Sequence, residues 1–267
     1  MTNIFDTHAH YSSRQFDGDR DALLAALPLG GVVGVVECAT HSGDAPRVLE
    51  LAHKAGYFYA ALGIHPESLG DESAATLRVY HGDWRAELNA LRPLYDDPKV
   101  VAVGEIGLDH HWPLPAREQY EMFEAFLQLA AELNLPVSVH DREAHGEMYE
   151  LLKKYRPRGV LHCYSGSAED AAWLTAQGMH LGFGGAVTYK GAKRAAKVLA
   201  AIPHESAVLE TDCPYMAPEP VRGTRNDSRN IAHVAALIGG LWQMDAQAVL
   251  DLTAANARRV FGVPTAE

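Results

Sequence analysis

A His-x-His pattern lies near the start of the chain, at His8 and His10, directly after the apolar pair Ile4-Phe5. Alternate residues of a β-strand point to the same face, so these two imidazoles would project together from the end of a strand. Neutral imidazole is the commonest metal ligand in proteins. The chain holds 14 histidines, and the pair alone is equally compatible with a polar surface. It indicates a metal site only if later strands supply further ligands.

Later strand candidates do end in residues of this kind. Asp and Glu account for 34 of the 267 residues and His for 14, together under a fifth, yet one of them follows six of the eight strand candidates. Imidazoles and carboxylates without an obvious thiolate suit Mg, Mn, Zn or Ni better than they suit a soft cysteine site. The residues at these six exits are His8, His10, His65, Glu105, His140, His162 and Asp212.

Such a set exceeds what one four-coordinate ion requires. Two cations about 3.5–4 Å apart, bridged by a carboxylate, would use it better, and Glu105 is the predicted bridge. A pair of this kind lowers the pKa of a water ligand from about 15.7 toward 7, which serves the hydrolysis of phosphoesters or amides. Asp212 is expected to hold one cation and to accept a proton from the attacking water.

The elements that must position these side chains are strands alternating with helices. Segments 32–36 and 100–103 are almost continuous apolar runs, typical of parallel strands covered on both faces. Eight such units predict an α/β fold, a (β/α)8 TIM barrel with one domain over residues 1–267, whose strands all end at one mouth. An open doubly wound sheet is the alternative, but no Gly-x-Gly-x-x-Gly follows the first strand. The predicted strands are 3–7, 31–37, 57–62, 100–104, 136–139, 159–162, 180–183 and 207–210, and the clearest predicted helices are 118–133, one capped by Ser167 and Asp170, 229–242 and 246–261.

Composition limits the partners of the protein. A formal charge of −11 argues against sequence-independent binding of long duplex nucleic acid, which requires a basic surface. No apolar segment reaches the roughly 18 residues of a membrane span, and no signal peptide is visible. Three scattered cysteines form no disulfide framework, so a reducing, cytoplasmic setting is expected.

The ordered motifs of the chain resemble those of the TatD family of metal-dependent hydrolases over essentially its whole length. The resemblance implies a TIM barrel, a centre of two divalent metal ions and exonuclease-type DNase activity. The matching segments are Asp-Thr-His-Ala-His at 6–10, Gly-Ile-His-Pro at 63–66, Gly-Glu-Ile-Gly-Leu-Asp at 104–109, Val-His-Asp-Arg at 139–142, His-Cys-Tyr-Ser-Gly at 162–166, Glu-Thr-Asp-Cys-Pro-Tyr at 210–215, Arg-Gly-Thr-Arg-Asn at 222–226 and Asn-Ala-Arg-Arg-Val-Phe at 256–261.

The resemblance also implies roles for individual residues. His8 and His10 with Asp212 would hold one cation, and His140 with His162 would hold the other, with Glu105 between the two. Asp212, Glu105 and His65 are the expected catalytic residues, and Asp109 is a candidate for orienting a ligand histidine. The residues expected to contact substrate are His65, Arg142, Arg222 and Arg225. The segment His110-His111-Trp112 departs from the Tyr-rich segment common in relatives, which bears on substrate preference.

These observations predict a hydrolase of phosphodiester bonds acting on single-stranded DNA or nucleic-acid ends, with no membrane and no obligate protein partner. One alternative keeps the metals but changes the bond, to an aminoacyl ester of tRNA or a cyclic amide. Related amidohydrolases often bridge their metals with a modified lysine where this chain has Glu105, which favours phosphodiester cleavage. A second alternative, a metal-stabilised interaction protein, is disfavoured because structural zinc sites are closed and usually rich in sulfur.

Overall fold

The computed structural model describes residues 1–264, in which eight parallel strands follow one another along a single sheet from β1 to β8. Helices lie between successive strands, and this arrangement confirms the predicted (β/α)8 TIM barrel. The strands are β1 Ile4–Ala9, β2 Val32–Cys38, β3 Phe58–Leu62, β4 Val100–Asp109, β5 Val137–Arg142, β6 Gly159–Leu161, β7 Met179–Phe183 and β8 Ala207–Leu209.

Ten α-helices accompany these strands within residues 1–264, and short 3-10 turns join several of them. None of these helices is both long and apolar enough to cross a membrane. The helices are α1 Arg20–Ala26, α2 Ala45–Lys54, α3 Ala75–Arg78, α4 Trp84–Leu91, α5 Ala116–Leu133, α6 His145–Tyr155, α7 Ala168–Ala176, α8 Lys193–Ala201, α9 Ile231–Trp242 and α10 Ala246–Phe261.

Backbone contacts divide the chain into two compact units. The first unit contains Met1–Glu37 and His162–Glu267, and the second contains Cys38–Leu161. That residues 1–267 act as one domain stays a prediction.

The first unit joins the two ends of the chain. Its strand β1 pairs with β2, and β7 pairs with β8. At the end of β1, Ala9 forms a parallel bridge with Cys213, which follows β8, and the amide of Asp212 donates to the carbonyl of His8 at 2.9 Å. Helix α10 packs on both β1 and β8. The first strand and the last strand of the chain are therefore neighbours.

In the second unit, β4 pairs with β3 on one side and with β5 on the other. Strand β4 continues to Asp109, five residues beyond its predicted end, because its pairing with β5 extends through Asp109 and Arg142. Gly107 permits this close pairing, since a Cβ there would lie 1.9 Å from the carbonyl oxygen of His140. Helix α5 covers β4 with buried side chains that include Phe123 and Phe126.

Other local predictions also match the structure. Ser167 caps α7, with its hydroxyl accepting from the amide of Asp170 at 3.0 Å. Helix α10 spans the predicted residues 246–261, beginning after the Asp245 cap and ending at Gly262, whose φ of 67° is left-handed. Segment 66–98 contains the helices α3 and α4.

Candidate metal centre

The first unit brings His8, His10 and Asp212, here called the first cluster, together where β1 and β8 end. The Nε2 atoms of the two histidines lie 3.2 Å apart, and that of His10 lies 3.4 Å from Asp212 Oδ1. The three ligand atoms all fall within 4.8 Å of one another, a spacing that one cation could bridge. Burial raises the pKa of Asp212, but the hydrogen bond from His10 and the nearby imidazoles outweigh burial and lower it below its ordinary value. Asp212 is therefore held as a carboxylate.

Asp6 holds the backbone segments that carry the first cluster. Its Oδ1 accepts from the amides of His8 and Thr211 at 3.2 and 3.0 Å, and its Oδ2 accepts from the hydroxyls of Thr211 and Ser228 at 2.6 and 2.7 Å. Full burial raises the pKa of Asp6 to about 6 despite these four bonds. One carboxylate thus joins the end of β1 to the segment after β8, which sets the spacing between the two histidines and Asp212.

His162 also belongs to the first unit and stacks on His8, with ring centroids 3.9 Å apart. Its Nδ1 lies 4.0 Å from Glu210 Oε1, and the same oxygen accepts from the amide of Cys163. Burial raises the pKa of Glu210 to about 8, and the neighbouring His162 acts in the opposite direction. Gly182 makes room for this carboxyl group, because a Cβ there would lie 2.1 Å from Glu210 Oε2. Glu210 is thus a buried carboxyl group beside a predicted ligand, although the 4.0 Å separation is too long for a hydrogen bond.

Glu37 is a further buried carboxyl group that sequence reasoning missed. It lies near the end of β2 and accepts from the amides of Tyr11 and Ser12 at 2.8 and 2.6 Å, which holds the loop after His10. Burial raises its pKa to about 7, with His10 acting against that rise. The sequence contained a pattern that could have identified Glu37, since the strand candidate 31–37 also ends in an acidic residue, within Val-Val-Glu-Cys at 35–38.

The second unit holds a corresponding group, His65, Glu105 and His140, here called the second cluster. Glu105 Oε1 lies 3.4 Å from His65 Nε2 and 3.2 Å from His140 Nδ1, and the carboxyl group is only 4% exposed. The two rings meet edge to face with centroids 4.3 Å apart. Gly63 allows the chain after β3 to approach β4, since a Cβ there would lie 2.6 Å from the carbonyl oxygen of Glu105.

Asp109, the candidate for orienting a ligand histidine, contacts His140. Its Oδ2 lies 3.1 Å from His140 Nε2, while its Oδ1 accepts from the amide of His111 at 2.9 Å. Burial lowers the pKa of His140, but hydrogen bonds to Asp109 and Glu105 outweigh it and raise that pKa to about 9. Gln119 on α5 bonds both the amide and the carbonyl of Asp109, so this orienting carboxylate is itself fixed.

A backbone hydrogen bond to His65 indicates which nitrogen of its neutral ring carries the proton. Its Nδ1 accepts from the amide of Glu67 at 3.1 Å, and a nitrogen that accepts in this way carries no proton. In the neutral ring the proton is then on Nε2, which faces Glu105 Oε1. Its position alone would allow His65 to bind a metal, but this tautomer suits it better as a hydrogen-bond donor.

The three arginines expected to contact substrate differ in their surroundings. Arg142 is exposed at the end of β5, and its guanidinium lies 5.6 Å from the centroid of the Trp112 ring. Arg222 stacks over Tyr189 at 4.2 Å. Arg225 donates to both carboxylate oxygens of Asp19 at 2.8 and 2.5 Å, so much of its hydrogen-bonding capacity is already used.

The two clusters contain all of the predicted metal ligands except His162, which lies beside the first cluster. Their donors are imidazole nitrogens and carboxylate oxygens, a set that fits a borderline or hard divalent cation. The cysteines at positions 38, 163 and 213 belong to neither cluster. The assignment of ligands to each cation, and the bridging role of Glu105, stay predictions.

Comparison with known proteins finds relatives that match nearly the whole chain. The family model described as TatD related DNase matches residues 5–262. An uncharacterized metal-dependent hydrolase, YabD of Bacillus subtilis, is 34% identical over 264 residues, which cover 97% of this chain and 99% of YabD. The 3'-5' ssDNA/RNA exonuclease TatD of Erwinia amylovora is 32% identical over 97% of this chain and 100% of its own.

A solved structure supports the fold independently. The crystal structure of YjjV, a TatD homologue from Escherichia coli, superposes with a TM-score of 0.88 and 33% sequence identity, covering 98% of this chain and 99% of that chain.

Proposed function

Because the chain belongs to the TatD related DNase family of metal-dependent hydrolases, we propose that it is a divalent-metal-dependent nuclease that cleaves phosphodiester bonds at single-stranded or frayed DNA ends. The observation that carries this proposal is the pair of partly buried clusters of histidine and carboxylate, each formed where strands end. Relatives at about this level of identity are named as single-strand exonucleases, which supports the choice of substrate.

We assign one divalent cation, Mg, Mn, Zn or Ni, to each cluster. Bound there, the cations would activate water and neutralise charge on the phosphate. His8 and His10 with Asp212 would hold one of them, and Glu105 and His140 would contribute to the other, together with His162 as the family resemblance implies. Asp109 would keep His140 in one tautomer through its contact with Nε2.

Other residues are proposed to accept or donate protons and to bind the phosphate. Asp212 is the proposed proton acceptor, since its carboxylate lies in the first cluster, 3.4 Å from His10 Nε2. His65, with its proton on Nε2, would donate to a phosphate oxygen. Arg142 would hold the phosphate through its planar, exposed guanidinium, because this group forms paired hydrogen bonds with phosphate oxygens. Arg222 and Arg225 remain proposed substrate contacts, with Arg225 the weaker candidate because Asp19 already binds it.

The proposal is tested with single-stranded oligonucleotides labelled at the 3′ or the 5′ end. We expect hydrolysis that requires added Mg²⁺ or Mn²⁺, stops with EDTA and releases nucleotides stepwise from one end. Glu105→Gln and Asp212→Asn should each lower kcat/KM by about 100-fold or more, the usual contribution of a lost acid, base or charge-stabilising group. Glu132→Gln is the matched control, because this carboxylate is exposed and pairs with Arg92 on the surface.

Three results would change the conclusion. Full activity in both site variants would refute the assigned residues. Metal-dependent turnover of aminoacyl-tRNA or of a cyclic amide, with intact oligonucleotides, would replace nuclease activity with the alternative hydrolase. Destabilisation on chelation without turnover of any substrate would favour the interaction protein. A cytoplasmic location stays part of the proposal, because three cysteines are too few and too scattered along the sequence for a disulfide framework.

A further inference from the structure

Trp112 is an exposed aromatic side chain in the loop between β4 and α5. It is 47% exposed, whereas Trp84 is buried and the other two tryptophans of the chain are only partly exposed. Burial of apolar area in the core therefore does not explain its presence. Its loop begins directly after Asp109, the last residue of β4, which is the strand that also carries Glu105 of the second cluster.

The ring is held in place by the surroundings of the second cluster. Its Nε1 donates to Glu67 Oε1 at 2.9 Å, and the amide of the same glutamate donates to His65 Nδ1. The next residue but one, Leu114, packs closely on Gly70, where a Cβ would lie 2.4 Å from Leu114 Cδ2. Pro113 and Pro115 restrict the backbone on both sides of that leucine. An exposed tryptophan held this firmly loses little conformational freedom when a ligand stacks on it.

Arg142 places a cation beside the same ring. Its guanidinium carbon lies 5.6 Å from the ring centroid, and its carbonyl accepts from the amide of His110 at 2.9 Å. Arg142 stands two residues after His140 on β5, so the two side chains point to the same side of the strand. An aromatic face next to a guanidinium matches the alternating bases and phosphates of a nucleic-acid strand.

We propose that Trp112 stacks on a nucleobase of the substrate strand while Arg142 contacts an adjoining phosphate. This inference rests on the proposed nuclease function and adds to it a contact that recognises bases. Stacking is tolerant of sequence, because every base has a π-face, and it requires an unpaired base. It would also give this acidic protein affinity for a single strand without a broad basic surface.

Tryptophan fluorescence provides a direct test in EDTA, where the strand is not cut. A decamer of deoxythymidine should quench the wild-type protein, whereas a decamer of abasic deoxyribose phosphates should quench it far less. Trp112→Phe should abolish most of the quenching, and Trp242→Phe should preserve it because Trp242 lies partly buried against Leu199 and His204. Persistent quenching in Trp112→Phe would overturn the proposal.

Affinity separates stacking from a general structural effect. Trp112→Ala should weaken binding of the deoxythymidine decamer by about 5- to 150-fold, the usual effect of losing one stacked base, and should leave binding of the abasic decamer nearly unchanged. Trp112→Phe should retain most of the affinity. Thermal unfolding of each variant checks that the fold is intact.

The outcomes also separate this inference from the nuclease proposal. Equal affinity of wild type and Trp112→Ala for deoxythymidine, with normal metal-dependent cleavage, would refute the stacking role alone. A wild-type protein that neither binds nor cleaves the decamer would refute both.

Discussion

Replacement of Asp109 by asparagine would show whether this buried carboxylate tunes the second cluster. Asp109 Oδ2 lies 3.1 Å from His140 Nε2. In the metal-free protein, burial lowers the pKa of His140 while Asp109 and Glu105 raise it to about 9, compared with an ordinary 6.5. That interval corresponds to about 3 kcal/mol in favour of the protonated imidazole.

The sign of the stability effect follows from this raised pKa. The folded, metal-free protein keeps the His140 proton between pH 6.5 and about 9, where the unfolded chain has lost it. The contribution is therefore complete below pH 6.5 and disappears as pH rises through about 9. Asp109→Asn removes one of the two charges, and we expect the pKa of His140 to fall by about 1–3 units, with the stability contribution falling accordingly.

Two measurements check this prediction. Histidine side-chain NMR over pH 5–10 in EDTA reports the pKa of His140, and calorimetric titration with Mn²⁺ reports metal affinity, which should drop by about 10- to 100-fold. Asp97→Asn is the matched control, because it breaks a histidine–aspartate pair of similar geometry, with His53 at 2.8 Å, on the surface of the same unit. An unchanged pKa for His140 together with unchanged Mn²⁺ affinity would refute the orienting role of Asp109.

Three further predictions concern the frame of the site and its substrate contacts. Gly107→Ala should lower the free energy of unfolding by at least about 2 kcal/mol, since its Cβ would lie 1.9 Å from a backbone oxygen of the next strand. Gly146→Ala is the control and should change it by less than about 1 kcal/mol, because a Cβ there meets no neighbouring atom within 4 Å. Urea unfolding compares the two variants, and equal effects would contradict the steric argument. Asp6→Ala leaves four buried donors without their acceptor, so it should lower the free energy of unfolding by about 2–4 kcal/mol in the same assay and weaken Mn²⁺ binding. Unfolding at the wild-type urea concentration would show that the network is dispensable. Arg142→Ala should raise KM for single-stranded DNA at least about tenfold and more than Arg225→Ala does, because Arg225 is already paired; the reverse order would reassign the phosphate contact.

The sequence predicted the eight strands and their alternation with helices well, because both depend on local patterns. Apolar runs ending in His, Asp or Glu identify β1, β4 and β5 and their side chains without knowledge of tertiary contacts. The end of β4 was predicted five residues too early, since its extension to Asp109 depends on pairing with β5 and on the small size of Gly107.

The carboxyl groups that support the ligands were harder to predict. Asp6 and Glu210 lie inside recognised motifs, but their roles depend on partners far away in the sequence, such as Ser228 for Asp6. The tautomer of His65 likewise depends on one backbone amide, that of Glu67, whose direction no residue pattern specifies.

The link that Asp6 makes between β1 and the segment after β8 has a consequence for biosynthesis. Its partner Thr211 lies 205 residues further along the chain. His8 and His10 therefore leave the ribosome long before Asp212, and the structure that aligns them cannot form until the chain has been made as far as Thr211. A nascent chain that stops short of Thr211 carries both histidines without that frame, so competence to hold a cation in the first cluster arises only late in synthesis.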